Sequence, residues 1–154
     1  MAEEQQAPQM VFHIEKIYVK DISLEVPNAP AIFLERDMPQ VNVELGTQSN
    51  ALSEDAFETS IKVTVTAKIG EKTMYLAECE QAGIFRIAGL NQEQLSMALG
   101  IGCPNILFPY ARETLPSIIL RPGFPPLQLD PVNFEGEFML RQQQAAAQAQ
   151  GSAH

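Results

Sequence analysis

Apolar and polar residues alternate with a period of two through most of the first 90 positions, and with a helical period after that. From Val11 the chain is rich in β-branched and aromatic residues. Phe12, Ile14, Lys16, Tyr18 and Lys20 fall on one face, and Val11, His13, Glu15, Ile17 and Val19 on the other. Both faces are mixed, and the composition predicts a long strand continuing towards Leu24. Pro27, Pro30 and Pro39 make residues 26–39 a long loop. Val41, Val43 and Leu45 then alternate with Asn42 and Glu44, the mark of a half-exposed strand, and residues 46–53 read as turn. A third strand is expected over residues 57–69, with Ile61, Val63, Val65, Ala67 and Ile69 on one face. Gly70 and Glu71 form a hairpin turn into a fourth strand over residues 73–85. There Tyr75, Ala77, Cys79 and Gln81 share one face, and Leu76, Glu78 and Glu80 the other.

After Gly89 the period changes. Leu95 and Leu99, then Leu107, Ala111, Leu115 and Ile119 beyond a break at residues 100–103, fit helical spacing. Pro104 suits a first-turn position with Cys103 as a weak cap, and Pro109 and Pro116 must distort the helix they occupy. The proline-rich stretch 121–131 is a connecting loop. Asn133 can cap a last helix carrying Phe134, Phe138 and Arg141 on one side. A polar lead (residues 1–10) and a Gln/Ala tail (residues 142–154), expected to be frayed or disordered for lack of an apolar stripe, flank a single domain over residues 11–141. Four strands followed by two helices give an α+β fold with an antiparallel sheet. Two helices cover such a sheet only in part, so an oligomer is expected.

Charge narrows the partners. The 154 residues carry a formal net charge of −9, and 45% of them are hydrophobic, enough for a core. Residues 1–80 hold 14 acids and 6 bases, whereas residues 81–154 hold 5 acids and 4 bases. A surface this acidic is poorly suited to nucleic acid or to an anionic membrane, and its electrostatic partner should be basic. No signal peptide or membrane span is read from the sequence, so a cytoplasmic location is expected. Cys79 and Cys103 read as reduced, semi-buried thiols, and with only His13 and His154 beside them no metal site or cofactor is expected.

Catalytic signals are missing. No G-x-x-x-x-G-K, G-x-G-x-x-G, H-E-x-x-H or G-x-S-x-G pattern occurs. Cys103 at a helix start is a conceivable activated nucleophile, yet no histidine lies near it in sequence, and a buried structural thiol is the better account. The acid pairs Glu54/Asp55 and Glu135/Glu137 read as solvated faces. The chain is not expected to be an enzyme.

Three long segments carry the most specific signal: IYVKDISLEVPNAP at residues 17–30, CPNILFPYARE at residues 103–113 and GFPPLQLDPVNF at residues 123–134. They closely resemble SecB, the cytosolic export-chaperone family of Gram-negative bacteria, and the similarity spans roughly residues 10 to 140. The resemblance implies a homotetramer built as a dimer of dimers, each subunit with a four-stranded antiparallel sheet and two helices. It implies an ATP-independent holdase that keeps precursor proteins unfolded and delivers them to the SecA motor. The zinc-containing C-terminal tail of SecA would dock on acidic sheet surface, at positions matching Asp21, Glu25, Leu76 and Glu78. Ala77, Cys79 and Gln81 match positions important for tetramer assembly, although ordinary sheet packing explains them about equally well. Val41, Val43 and Leu45 match client-binding positions.

A holdase needs broad, unselective apolar surface. Phe33, Phe124 and Leu127 in the loops, with Phe138 and Leu140 on the last helix, extend the strip into a groove, and for the aromatic residues a core role competes with this one. Acids around such a strip favour basic clients. Two other classes remain open: a SecB-like adaptor dedicated to one partner system such as a toxin–antitoxin pair, and an enzyme using Cys103.

Overall fold

A computed structural model of the chain describes residues 9–151. Four strands, β1 (Val11–Glu25), β2 (Gln40–Ala51), β3 (Ala56–Ile69) and β4 (Lys72–Ala88), form one antiparallel sheet in the order β1-β4-β3-β2. The two central strands are the most apolar. On β3, Ile61, Val63, Val65 and Ala67 are fully buried, and the β4 residues Ala77, Cys79 and Phe85 join them on the same face. Three helices follow: α1 (Gln92–Met97), α2 (Cys103–Ile119) and α3 (Phe134–Gly151). Helix α2 lies across β4 and β3 with Cys103, Leu107, Ala111 and Leu115 pointing down at four-residue spacing, all fully buried. Gly83 lets it approach. A Cβ there would sit 2.9 Å from the Phe85 ring and 3.2 Å from Leu107.

Several expectations are corrected. The mixed faces expected of β1 are sorted by two irregularities in its pairing with β4, between Ile14 and Lys16 and between Val19 and Asp21. Each inserts one residue and shifts the phase. Phe12, Ile14, Ile17, Val19, Ile22 and Leu24 then all oppose the helix-side residues of β4. Strand β2 runs to Ala51 through the stretch read as turn, because β3 pairs with it along its whole length and Ser49 shares a 2.8 Å hydroxyl hydrogen bond with Thr59.

The helical break at residues 100–103 is a π-turn (Ala98–Gly102) joining α1 to α2, with the Cys103 N–H donating to the Ala98 carbonyl. Widening the turn avoids the clash that Pro104 makes with the carbonyl four residues back in a regular α-helix. Helix α1 begins at a cap the hydrophobic pattern misses: the Asn91 side chain accepts from the Gln94 N–H at 2.8 Å, and Gln94 returns a bond to the Asn91 N–H. At the far end the Gln/Ala segment is helical to Gly151 rather than frayed from residue 142. Ala and Gln favour helix strongly enough to extend an existing one without any docked stripe. The lead at residues 1–8 and the last three residues lie outside the described ones.

Candidate functional site

The pairing register divides the sheet into two unlike faces. On the outer face, away from α2, Asp21 opposes Glu80, Ser23 opposes Glu78 and Glu25 opposes Leu76. Side chains of directly paired residues point the same way, so Asp21, Glu25, Leu76 and Glu78 share one surface. The structure also brings Glu80 and, from β2, Glu44 to that face. Glu78 is held twice: the Thr64 hydroxyl donates to its Oε2 at 3.0 Å, and Lys62 Nζ lies 3.3 Å from its Oε1. Farther along, Glu58 accepts from the Tyr18 hydroxyl and pairs with Lys20 at 3.0 Å. These two donors hold the Glu58 carboxyl below its ordinary range. Burial, then the bond to Glu58, pushes the Tyr18 phenol up to about 12. The acidic patch thus ends at a tightly paired knot.

The inner face carries the apolar surface, and α2 covers only its middle. Beside α2, Val41 and Val43 are 43% and 47% exposed. With Leu45, Leu127 and Val132 they line an apolar cleft of about 490 Å³, floored by Val63 and Phe108 and edged by Asp130 and Glu137. The loop 121–133 forms its outer wall. Residues that composition groups into one groove are spread over separate places. Phe124 is 6% exposed, stacked on Phe33 and packed against the tilted ring of Tyr75, so it is core, with only Phe33 facing outward. Phe138 lies against Gly100 of the π-turn, where an added Cβ would come within 2.5 Å of its ring, and lines a second cleft with Thr47 and Arg141. Leu140 is exposed and lines neither cleft.

Sequence reasoning missed the opposite margin of that face. Phe12, Ile14, Val19 and Ile22 on β1 are exposed, as is Tyr110 on α2. Between β1 and α2 a cleft of about 680 Å³ includes Ile17, Val19, Gln81, Pro109 and Tyr110. Gln81 is 2% exposed; its Nε2 donates to the Tyr18 carbonyl at 3.2 Å, and its Oε1 has no partner among the described residues. Ala77 and Cys79 are wholly buried beneath α2, so of the three positions matched to assembly only Gln81 reaches a cleft. The missed signal was legible: apolar residues at 12, 14, 17, 19, 22 and 24 keep period two if two steps of three are allowed.

The thiols are not primed for chemistry. Burial pushes Cys79 to about 11 and Cys103 to about 12, and a hydrogen bond from the Thr59 hydroxyl to the Cys103 sulfur offsets only part of the latter. Among the described residues no group of three His, Cys, Asp or Glu side chains is arranged to hold a metal ion, and no helix is long and apolar enough to cross a membrane.

The family profile described as "Preprotein translocase subunit SecB" matches residues 3–145. The chain belongs to the SecB family. A protein named "Protein-export protein SecB" from Thiobacillus denitrificans is 61% identical over 147 residues, covering 96% of each chain. One of the same name from Chromobacterium violaceum is 55% identical over 147 residues, again covering 96% of each. Among solved structures, a SecB-like chaperone from Mycobacterium tuberculosis, in complex with an antitoxin peptide, superposes with a TM-score of 0.63 at 22% identity. That match covers 79% of this chain and 90% of the other, and the likeness is one of fold. SecB proteins are export chaperones, not a family of enzymes.

Proposed function

We propose that this chain is an ATP-independent cytoplasmic holdase that keeps precursor proteins unfolded on the inner face of its sheet and delivers them through SecA docked on the outer face. The observation that carries the reading is the segregation itself. Asp21, Glu25, Leu76 and Glu78 converge on one side, while Val41, Val43, Leu45 and Leu127 converge on the other. An extended segment can lie along the apolar cleft, and the acids Asp130 and Glu137 at its edge favour clients whose apolar residues are flanked by basic ones. On the outer side, an exposed carboxylate set around one half-buried leucine suits a basic, compact, zinc-bound tail.

The assembly belongs to the same proposal. The uncovered margin of Phe12, Ile14, Val19, Ile22 and Tyr110 is the surface a second copy would bury on the way to a dimer of dimers, and the free Gln81 oxygen at its edge awaits a donor. The adaptor reading draws on the fold shared with an antitoxin-bound chaperone. It gives no reason for the four outer-face positions to be kept together.

The test is calorimetry of the full chain with an unfolded precursor and with the zinc-loaded SecA tail peptide. Asp21→Ala combined with Glu78→Ala is expected to weaken the peptide about tenfold or more while leaving precursor binding unchanged. Equal loss of both ligands would sink the idea of separate faces, and binding of neither by the unaltered chain would sink the export reading.

A further inference from the structure

The counter-ion of Glu78 sits in an unexpected place. Lys62 on β3 is paired in register with Glu80 on β4, and Glu78 with Thr64. Lys62 nevertheless reaches diagonally, so that its Nζ lies 3.3 Å from Glu78 Oε1. Thr64 holds the other oxygen of that carboxylate. Asp21, Glu25 and Glu80, its neighbours on the outer face, make no ion pair among the described residues. Among the described residues Glu78 is thus the acid beside Leu76 that forms an ion pair, while Lys20, which lies in the field of Glu80, is committed to Glu58. The pair is open to solvent, with side chains 55% and 26% exposed, and exposed pairs hold weakly.

We propose that Lys62 is a displaceable internal counter-ion. A lysine or arginine of the docking partner takes its place at Glu78 Oε1, and Lys62 swings to its register partner Glu80. Directly opposed residues have Cβ atoms about 5 Å apart, well inside the reach of a lysine side chain. The exchange keeps both acids paired, and the Thr64 bond to Oε2 keeps the Glu78 carboxylate aimed while its cation changes. A ligand without a cation at that spot leaves Lys62 in place and gains nothing from Glu78. Lys62 is thereby a specificity-determining residue, and Glu80, which no site role so far includes, is a positioning residue that acts through it. The inference rests on the outer face being the docking surface.

The experiment titrates the full chain with the zinc-loaded SecA tail peptide at low and at high salt. Lys62→Gln is expected to tighten binding about three- to fivefold at low salt, with the gain shrinking as salt rises. Lys68→Gln removes the same charge from the same face without touching Glu78, and should give less than half of that gain. Glu80→Gln should weaken binding about twofold in the natural background and distinctly less once Lys62 is Gln, where only its share of the general field remains. Equal gains from Lys62→Gln and Lys68→Gln would reduce the effect to the general field and overturn the proposal. So would a Glu80→Gln loss that is the same in both backgrounds, because Glu80 would then touch the peptide itself. If Glu78→Gln leaves peptide affinity unchanged, the docking reading fails first, and the exchange with it.

Discussion

The two faces of this sheet are made by the same strands and differ in almost every physical respect. The inner face is built from Ile61, Val63, Val65, Ala77 and Cys79, buried under α2, and it turns into exposed apolar surface at both margins. Among the described residues no helix covers the outer face, which is held by individual polar bonds: Thr64 and Lys62 on Glu78, Tyr18 and Lys20 on Glu58. Period-two alternation is what separates them, since each residue step switches face. One sheet can therefore offer a broad apolar surface and a charged, specific one without either contaminating the other. Burial is non-directional and suits many clients, whereas carboxylates at fixed spacing suit one partner.

The comparison breaks most severely in the layer between sheet and α2. Leu115 is fully buried there, and Leu115→Ala should cost about 3 kcal/mol of stability, read as a lowered denaturant midpoint at unchanged slope. Because that layer supports both faces, precursor and SecA-peptide binding should fall together as the fold weakens. A smaller and one-sided effect is expected from Val41→Ala, Val43→Ala and Leu45→Ala combined. Val41 and Val43 are exposed and Leu45 is only partly packed against the core, so stability should fall less than for Leu115→Ala. Client affinity should fall by about 2 kcal/mol, roughly thirtyfold, with peptide binding untouched. Client affinity left intact would rule the strip out and move the client surface to the second cleft beside Phe138.

The central strands were legible because β3 and β4 alternate through most of their length, with core on one side and Lys62, Thr64 and Thr66 on the other. Strand β1 was legible as a strand but not in its faces, since two inserted residues shift the phase and only its partner's register reveals them. The end of β2 was hidden by its composition: Gly46, Thr47, Ser49 and Asn50 favour turns, and pairing with β3 overrides them. Helix α3 beyond Arg141 shows the reverse, with the helix propensity of Ala and Gln carrying the element on past the end of the apolar pattern. At the site, resemblance to the SecB family proposed the acids and the apolar strip, and the pairing register gives the face that each occupies. The partner that matters to Glu78 lies sixteen residues away on a neighbouring strand, and only three-dimensional pairing exposes it. Phe124 illustrates the converse, because an aromatic residue in a proline-rich loop reads as surface until Phe33 and Tyr75 close around it.

The smallest expected effect separates the faces by pH. On the outer face the Tyr18 phenol is pushed up to about 12 by burial and by Glu58, so the folded state keeps that proton more tightly than the unfolded chain, whose tyrosine titrates near 10. Its stabilisation is complete below about pH 10 and lost as pH rises through about 12. Glu58 has the opposite sign: its carboxyl is held low, so its contribution is present above the ordinary carboxylate range and lost as acid protonates it. Tyr18→Phe removes the shared bond and should cost about 1 kcal/mol at pH 7. That cost should shrink as pH rises from 10 towards 12, because the unfolded tyrosine then ionises while the folded one must keep its proton, which erodes the natural chain's advantage. Leu115→Ala creates no titrating group, and its cost should not follow that course. Denaturant midpoints for both variants at pH 7 and pH 11 make the comparison. A Tyr18→Phe deficit that stays constant or grows at pH 11 would mean that the knot with Glu58 does not govern the outer face.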